Sequence, residues 1–362
     1  MGRLTRAEMQ GENRAKILAA AREEFAERGF REAKIDRIAE RAGLTRGAVY
    51  SNFPGKRGLY FAVLLDLAER APRRPPPDDV HSVREALGAF ARVWVSRLPL
   101  STDEPTGEAR LGRDLIPEIV AEPRIQQTYA QLLKLDALLL ALAMERMLPV
   151  DAPPTRLTRV AEAVLTTLHG VGQMAAAAPG FVEPFDAVSV CERLADLDLS
   201  GGWPPPHTPW ISPARPADEP WSPPSALDAV RDVPAPLTGD GVVAILGLHR
   251  LQAVEEAVRG APPGSEVTAV VVTGDRDESG PLARLVVVDL LNHLRESFPR
   301  PAWPTLRLVH DETGDVAAAA GVTAVSDATE TAVRIVDGRV VARAEGRGAC
   351  HAAATADQPR DG

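Results

Sequence analysis

The chain predicts a multidomain fold: an all-α helix-turn-helix module and a helical bundle, followed by a small C-terminal α/β domain. Three observations carry that expectation. Residues 14–70 show helical apolar spacing cut at Gly29, Gly43 and Pro54-Gly55, and residues 80–199 continue as helical stretches separated by Pro. After a Pro-rich stretch at 200–236, short Val-rich runs alternate with helical patterns and end on an Asp337-Gly338 pair between two apolar runs. Strands alternating with helices and closed by a hairpin specify a small α/β sheet. A chain of 362 residues also exceeds what one hydrophobic core usually organises.

In the first helix Ile17, Leu18, Ala21 and Phe25 recur at helical spacing, and Gly29 is a natural C-terminal stop. Ile35, Ile38 and Ala39 mark a short second helix ending at Gly43. Thr45 can accept a hydrogen bond from the next free backbone N–H groups and so start the third helix. Pro54-Gly55 ends that helix, and an apolar fourth runs from Lys56 to about Arg70. A break follows at Ala71-Pro72-Arg73-Arg74-Pro75-Pro76-Pro77.

Helical stretches are expected near 80–98, 105–121, 124–148, 155–177 and 184–199. Leu132, Leu133, Leu135, Leu138, Leu139, Leu140 and Leu142 make one of them apolar nearly all round, as in the middle of a bundle. Between residues 200 and 236 stand 11 Pro in 37 residues, with Trp203, Trp210 and Trp221 interleaved. That density predicts an extended linker without regular structure, either docked through its Trp or mobile. Beyond it, strands are expected at Val242–Leu246, Val267–Val272, Leu306–Val309, Ala332–Val336 and Arg339–Ala344. Helices are expected at Leu251–Arg259 and, as an amphipathic element, Leu282–Phe298. The tail after Glu345 reads as disordered. The predicted units are thus 11–71, 80–199, a linker 200–236, 237–346 and a tail 347–362.

Charge separates the units. The whole chain carries −9, but residues 1–74 hold 16 Lys+Arg against 10 Asp+Glu, leaving 25 against 40 in the remainder. A basic head on an acidic body suggests that one end alone meets a polyanion. No apolar run is long enough for a membrane span and no signal core opens the chain, which predicts a cytoplasmic protein that meets no membrane. Cys191 and Cys350 stand far apart without metal-ligand spacing, and the seven His are scattered. Neither a disulfide scaffold, nor a metal site, nor a cofactor is expected.

The polyanion-facing side chains cluster on the third helix. Arg46, at its start, can enter a major groove and pair bidentately with a guanine edge. Gly47 lets the backbone approach the sugar-phosphate wall, beside Thr45 and Ala48. Tyr50 lies one turn on and can donate to a phosphate; Ser51 and Asn52 complete the polar side. Val49 and Phe53 turn inward against Ile38 and Leu44. Lys56 opens the fourth helix, where an ammonium and free N–H groups can hold a phosphate together.

Arg14–Arg28, Gly29-Phe30, Ile35–Arg41, Ala42-Gly43-Leu44-Thr45-Arg46-Gly47, Val49-Tyr50 and Phe53-Pro54-Gly55-Lys56 resemble the DNA-binding domain of TetR/AcrR-family regulators. Residues 80–199 are similar in helix count and length to that family's ligand-binding and dimerisation bundle. The resemblance implies a homodimer on a palindromic double-stranded operator, released by a small-molecule effector. It further implies a four-helix dimer interface with Leu165, Leu168, Gly170 and Val171 on one helix and Phe185, Val188 and Leu194 on the next. One departure stands at the second helix, where the family usually places Thr or Ser. Ala33-Lys34 is found there, which removes a cap worth ~1 kcal/mol and adds a cation, Lys34, within reach of phosphate. An effector pocket is expected among the helices of 80–177, with Trp94, Arg97, Arg113, Gln126, Tyr129, Met144, His169 and Gln173 as its lining.

Leu308–Ala317 with Gly321-Val322, then Thr331–Val336 and Asp337–Val341, resemble the second half of thioredoxin-like and peroxiredoxin-type domains. The reactive Cys of such domains would follow the first strand, where Gly247-Leu248-His249-Arg250 stands. A thiolate is the nucleophile in that chemistry, so a binding role is expected here rather than an enzyme. His249, opening a helix, reads as a surface residue. The reading is a DNA-binding transcriptional regulator, expected to repress, with no catalytic residues. A thiol-redox enzyme with a DNA-binding head is the alternative, and a general DNA-coating protein is disfavoured by the acidic body.

Overall fold

The computed structural model describes residues 6–72, 74–75, 80–98, 108–149, 151, 155–199 and 211–356. Trp203, Trp210 and the last six residues of the expected tail lie outside them.

Four helices form the N-terminal module: α1 (Arg6–Glu32), α2 (Ile35–Ala42), α3 (Arg46–Asn52) and α4 (Lys56–Arg70). Gly29, at φ 75° and ψ 170°, kinks α1 rather than ending it, and that backbone region carries no penalty for Gly. The kink turns Phe30 back onto Tyr60, their ring centres 5.1 Å apart. Gly43 caps α2 in the left-handed region, and the Ala48 N–H donates to Thr45 Oγ1 at 3.2 Å to start α3. Ile17, Phe25, Ile38, Val49 and Leu59 are fully buried and hold the four together.

The bundle comprises α5 (Val83–Ser96), a 3-10 segment (Glu108–Asp114) leading into α6 (Leu115–Val120), α7 (Pro123–Glu145), α8 (Thr158–Ala177) and α9 (Pro184–Leu194). Ser82 and Glu85 form a reciprocal capping box at the start of α5. In α7, Leu132, Leu135, Leu138, Leu139, Leu140 and Leu142 are all buried, because α8 covers one side and an element of the C-terminal domain covers another.

Regular structure begins inside the Pro-rich stretch, contrary to the expected linker. There the chain forms β1 (Arg215–Pro220), β2 (Ala226–Asp228) and β3 (Val233–Ala235). β2 and β3 pair as a small hairpin, and β1 is an edge strand with a register shift between Pro216 and Glu219. Pro is tolerated on an edge, where no ladder donor is missing. Trp221 is buried and its indole N–H donates to Leu237 O at 2.6 Å.

The remaining strands are β4 (Gly241–Gly247), β5 (Glu266–Val272), β6 (Arg307–His310), β7 (Glu330–Val336) and β8 (Arg339–Glu345), in a six-stranded sheet ordered β1-β8-β7-β4-β5-β6. β4, β5 and β6 run parallel; β7 and β8 are antiparallel, joined at Asp337 (φ 48°) and Gly338 (φ 69°). Alternation along β4 sends Val242, Ala244 and Leu246 into one core and Val243 and Ile245 into another.

The helices of this domain are α10 (Val254–Gly260), α11 (Ser279–Ser297), α12 (Asp315–Ala319) and α13 (Ala349–Ala354). α13 corrects the expected disordered tail: Gly346 and Gly348 take φ values of 82° and 87°, and the turn ends where Glu330 accepts the N–H groups of Gly348 and Ala349 at 2.8 and 3.0 Å. Cys350 is thereby fully buried.

α11 is more than amphipathic. One side lies on the sheet and the other packs on α4, α5 and α7, so that a single hydrophobic cluster runs from the N-terminal module through the bundle into the α/β domain. Polar contacts flank this seam. Asn292 Nδ2 donates to Ala68 O at 2.9 Å, Arg97 pairs with Glu296 at 2.8 Å, Arg259 with Glu145 at 2.7 Å, and Arg57 with Glu278 at 3.0 Å.

Candidate nucleic-acid interface and ligand cavity

The third helix presents its polar side outward because its apolar residues are used up inside. Val49 and Phe53 are buried, while Lys34, Thr45, Arg46, Gly47, Tyr50 and Ser51 are exposed and Ala48 is half-buried. Arg46 and Tyr50 come together, the guanidinium carbon 5.5 Å from the ring centre. Arg46 also meets Asp36 of α2 at 3.3 Å. Both members of that pair are exposed, so solvent screens it and it can yield to a stronger acceptor. Lys34 stands at the start of α2 without a side-chain cap.

Three residues expected on this face are engaged with the chain itself. The Ser51 hydroxyl and the Asn52 amide both donate to Ala48 O, at 2.9 and 2.8 Å. Lys56 does not stand free to hold a phosphate. Its ammonium donates to Arg31 O at 3.1 Å and Ala33 O at 2.9 Å and lies 4.6 Å from the Phe30 ring centre. It closes the carbonyl end of α1, a use of Lys that satisfies otherwise unpaired helix-end acceptors. Arg14, which no sequence pattern singled out, stacks on Phe53 at 4.2 Å and donates to Asn52 O at 3.4 Å, bracing the end of α3.

A cavity of about 320 Å³ opens where α4, α5, α6, α7 and α8 meet α11. Trp94, Tyr129 and His169 line it, the Trp94 and His169 rings edge-to-face at 4.9 Å and those of Tyr129 and His169 at 6.2 Å. The other expected lining residues lie elsewhere. Arg97 turns to Glu296 and Asp289, Met144 is fully buried core, Arg113 and Gln173 are exposed, and Gln126 lines a separate shallow hollow beside α6. For Arg97 it is α11 that redirects the side chain, through Glu296 and Asp289. Two carboxylates take part instead: Asp136 on α7 and Asp289 on α11. Burial, then the neighbouring Asp289, pushes the Asp136 carboxyl well above its usual range, and burial lowers His169. Asp136 had a signal in the sequence, an acid inside a run expected to be covered all round. Asp289 had none, since nothing local foretold that α11 would dock here.

Comparison with known proteins bears on the N-terminal module. Residues 17–63 match the family model for bacterial regulatory proteins, tetR family. Over those residues the module is similar to that family's. Over 85 residues the chain is 38% identical to the HTH-type transcriptional activator FasR of Mycolicibacterium smegmatis, covering 22% of this chain and 39% of that protein. It is 48% identical over 64 residues to the HTH-type transcriptional regulator SrpR of Pseudomonas putida, covering 18% and 30%. It is 32% identical over 123 residues to the HTH-type transcriptional regulator UidR of Escherichia coli, covering 33% and 57%. The chain thus spans between about a third and just over half of these relatives' lengths. A solved TetR transcriptional regulator from Rhodococcus sp. RHA1 aligns over 52% of this chain and 95% of its own, with a TM-score of 0.31 and 22% identity.

Beyond the N-terminal module, the surface expected to dimerise is rearranged. Leu165, Leu168 and Val188 are buried within the chain and Leu194 and Val171 are half-buried, because α9 packs onto α5 and α8. Phe185 does face outward, at 79% exposure, with Phe181 at 73% and Met174 and Val190 nearby in sequence also exposed. No described helix is long and apolar enough to cross a membrane, and among the described residues no group of three or more His, Cys, Asp or Glu could hold a metal ion.

Proposed function

We propose that the chain is a sequence-specific, ligand-responsive transcriptional repressor that binds a palindromic operator as a homodimer. The observation that carries this reading is the capped α3 helix with Arg46 and Tyr50 stacked and exposed on its outer side. The exposed aromatic pair Phe181 and Phe185 supports a second copy on the α8–α9 end of the bundle. The cavity beneath α11 supports a small-molecule effector.

For the C-terminal domain we propose a thioredoxin-like arrangement used for docking rather than for thiol chemistry. The β5-β4-β7-β8 order, with α10 between β4 and β5 and α13 after β8, supports it. Cys191 and Cys350 are both buried, and burial pushes the Cys191 thiol up to about 12 and the Cys350 thiol well above its ordinary value. A thiol held protonated is a poor nucleophile, which argues against the thiol-enzyme alternative.

The test is a mobility shift of the intergenic DNA beside the chain's own gene, against random duplex and across salt. Specific binding should fall steeply with ionic strength, and Arg46→Ala should cost about 1–3 kcal/mol at one base pair. Equal affinity for operator and random duplex overturns the proposal.

A further inference from the structure

We propose that the cavity shared by the bundle and α11 binds a lipophilic cation, with Asp136 and Asp289 facing its charge and Trp94, Tyr129 and His169 framing its apolar body. The inference deepens the ligand-responsive reading above and rests on it. Four observations point to the class of occupant. Apart from Asp136, Asp289, Tyr129 and His169, the wall is apolar or glycine, and no Lys or Arg lines it. An organic anion would meet the Asp289 carboxylate with no Lys or Arg in the wall to receive it, whereas a cation would favour the ionised form of Asp136 that burial disfavours. Asp136 is 4% exposed and its Oδ1 has no hydrogen-bond partner, a buried polar atom left to be satisfied by whatever enters. The aromatic faces of Trp94 and Tyr129 attract a desolvated cation further.

Asp289 completes the site from the other domain. Arg97 reaches it at 3.5 Å but holds Glu296 more closely, at 2.8 Å. Asp289 can therefore turn to a ligand without stranding the guanidinium. Its field also reaches Asp136, Tyr129 and His169 across the cavity. A cation seated there meets the bundle through Asp136 and the α/β domain through Asp289, so the effector site is divided between two domains.

Calorimetric titration of the full chain with one skeleton in three charge states decides the matter: para-tert-butylbenzylammonium, the corresponding benzyl alcohol and the corresponding benzoate. The ammonium should bind about tenfold or more tighter than either of the others, a difference of about 1.4 kcal/mol. Asp289→Asn and Asp136→Asn should each remove most of that preference while leaving the alcohol's affinity within about twofold. Asp289 sits half-exposed at the rim, so its variant reads out even if the buried one fails to fold. Equal binding of the three, preference for the benzoate, or an ammonium preference that survives Asp289→Asn overturns the proposal. A chain that binds operator yet prefers the benzoate sinks the ligand class alone. One that prefers the ammonium but shifts no DNA supports the site and sinks the repressor reading.

Discussion

At the scale of single residues, the positions that work in this chain are those where a polar atom has no alternative partner. Thr45 and Gly43 were legible because cap chemistry is local: one hydroxyl, one left-handed backbone position, each specified by its neighbours in sequence. Lys56 misled because its reach to Arg31 O and Ala33 O depends on how α4 meets the end of α1. His310 shows how far tertiary surroundings set a residue's chemistry. Burial, and then Arg284, lower it to about 4 from an ordinary 6.5. Below pH 6.5 the unfolded chain accepts a proton that the folded His310 refuses, so the stability it contributes is complete above that pH. The contribution declines between 6.5 and about 4, by no more than about 1.4 kcal/mol per pH unit. Urea unfolding of the wild type and His310→Gln across this window should show the gap between them narrowing as pH falls; a constant gap would refute the assignment.

Among the elements, α11 decides most of the architecture. Its apolar content was readable, but a helix apolar on two sides and one docked on a sheet alone differ only in what lies opposite. The Pro-rich stretch erred in the other sense: Pro216 and Pro220 exclude a central strand, and an edge strand is what forms. The α4–α11 seam makes a definite demand at its start, where Gly58 faces the loop before α11. A Cβ on Gly58 would lie 2.2 Å from the Asp277 carbonyl oxygen, a backbone atom that cannot rotate away. Gly58→Ala should therefore lower stability by roughly 1–3 kcal/mol, measured as a shift in the urea midpoint. Gly47→Ala, whose Cβ would have nothing nearer than 3.9 Å, serves as a control free of steric conflict. Equal midpoints for the two variants would show that the seam is looser than described.

For the whole molecule, the basic head and acidic body acquire a spatial meaning. Some charges of the α/β domain pair across the seam, among them Arg57–Glu278, Arg259–Glu145 and Arg156–Glu255, and others pair within the domain, as Arg250–Glu330 and Arg307–Glu266 do. The most exposed aromatic side chains, Phe181 and Phe185, stand at the α8–α9 end. On the proposed dimer, Phe185→Asp should leave a monomer in sedimentation velocity and abolish operator binding, since two half-sites need two linked reading helices. A variant that stays dimeric would move the interface elsewhere.

Local grammar alone determined the exposed third helix, its caps, the Asp337-Gly338 hairpin and the resemblance of the N-terminal module to the tetR family. Each rests on contacts within a few residues, which a linear pattern records. Tertiary structure alone decided that α11 lies between sheet and bundle, that Asp289 joins Asp136 at one cavity, and that the tail folds back over Cys350. These depend on which buried surface meets which, and hydrophobic burial is non-directional: it states that a face must be covered without naming its cover.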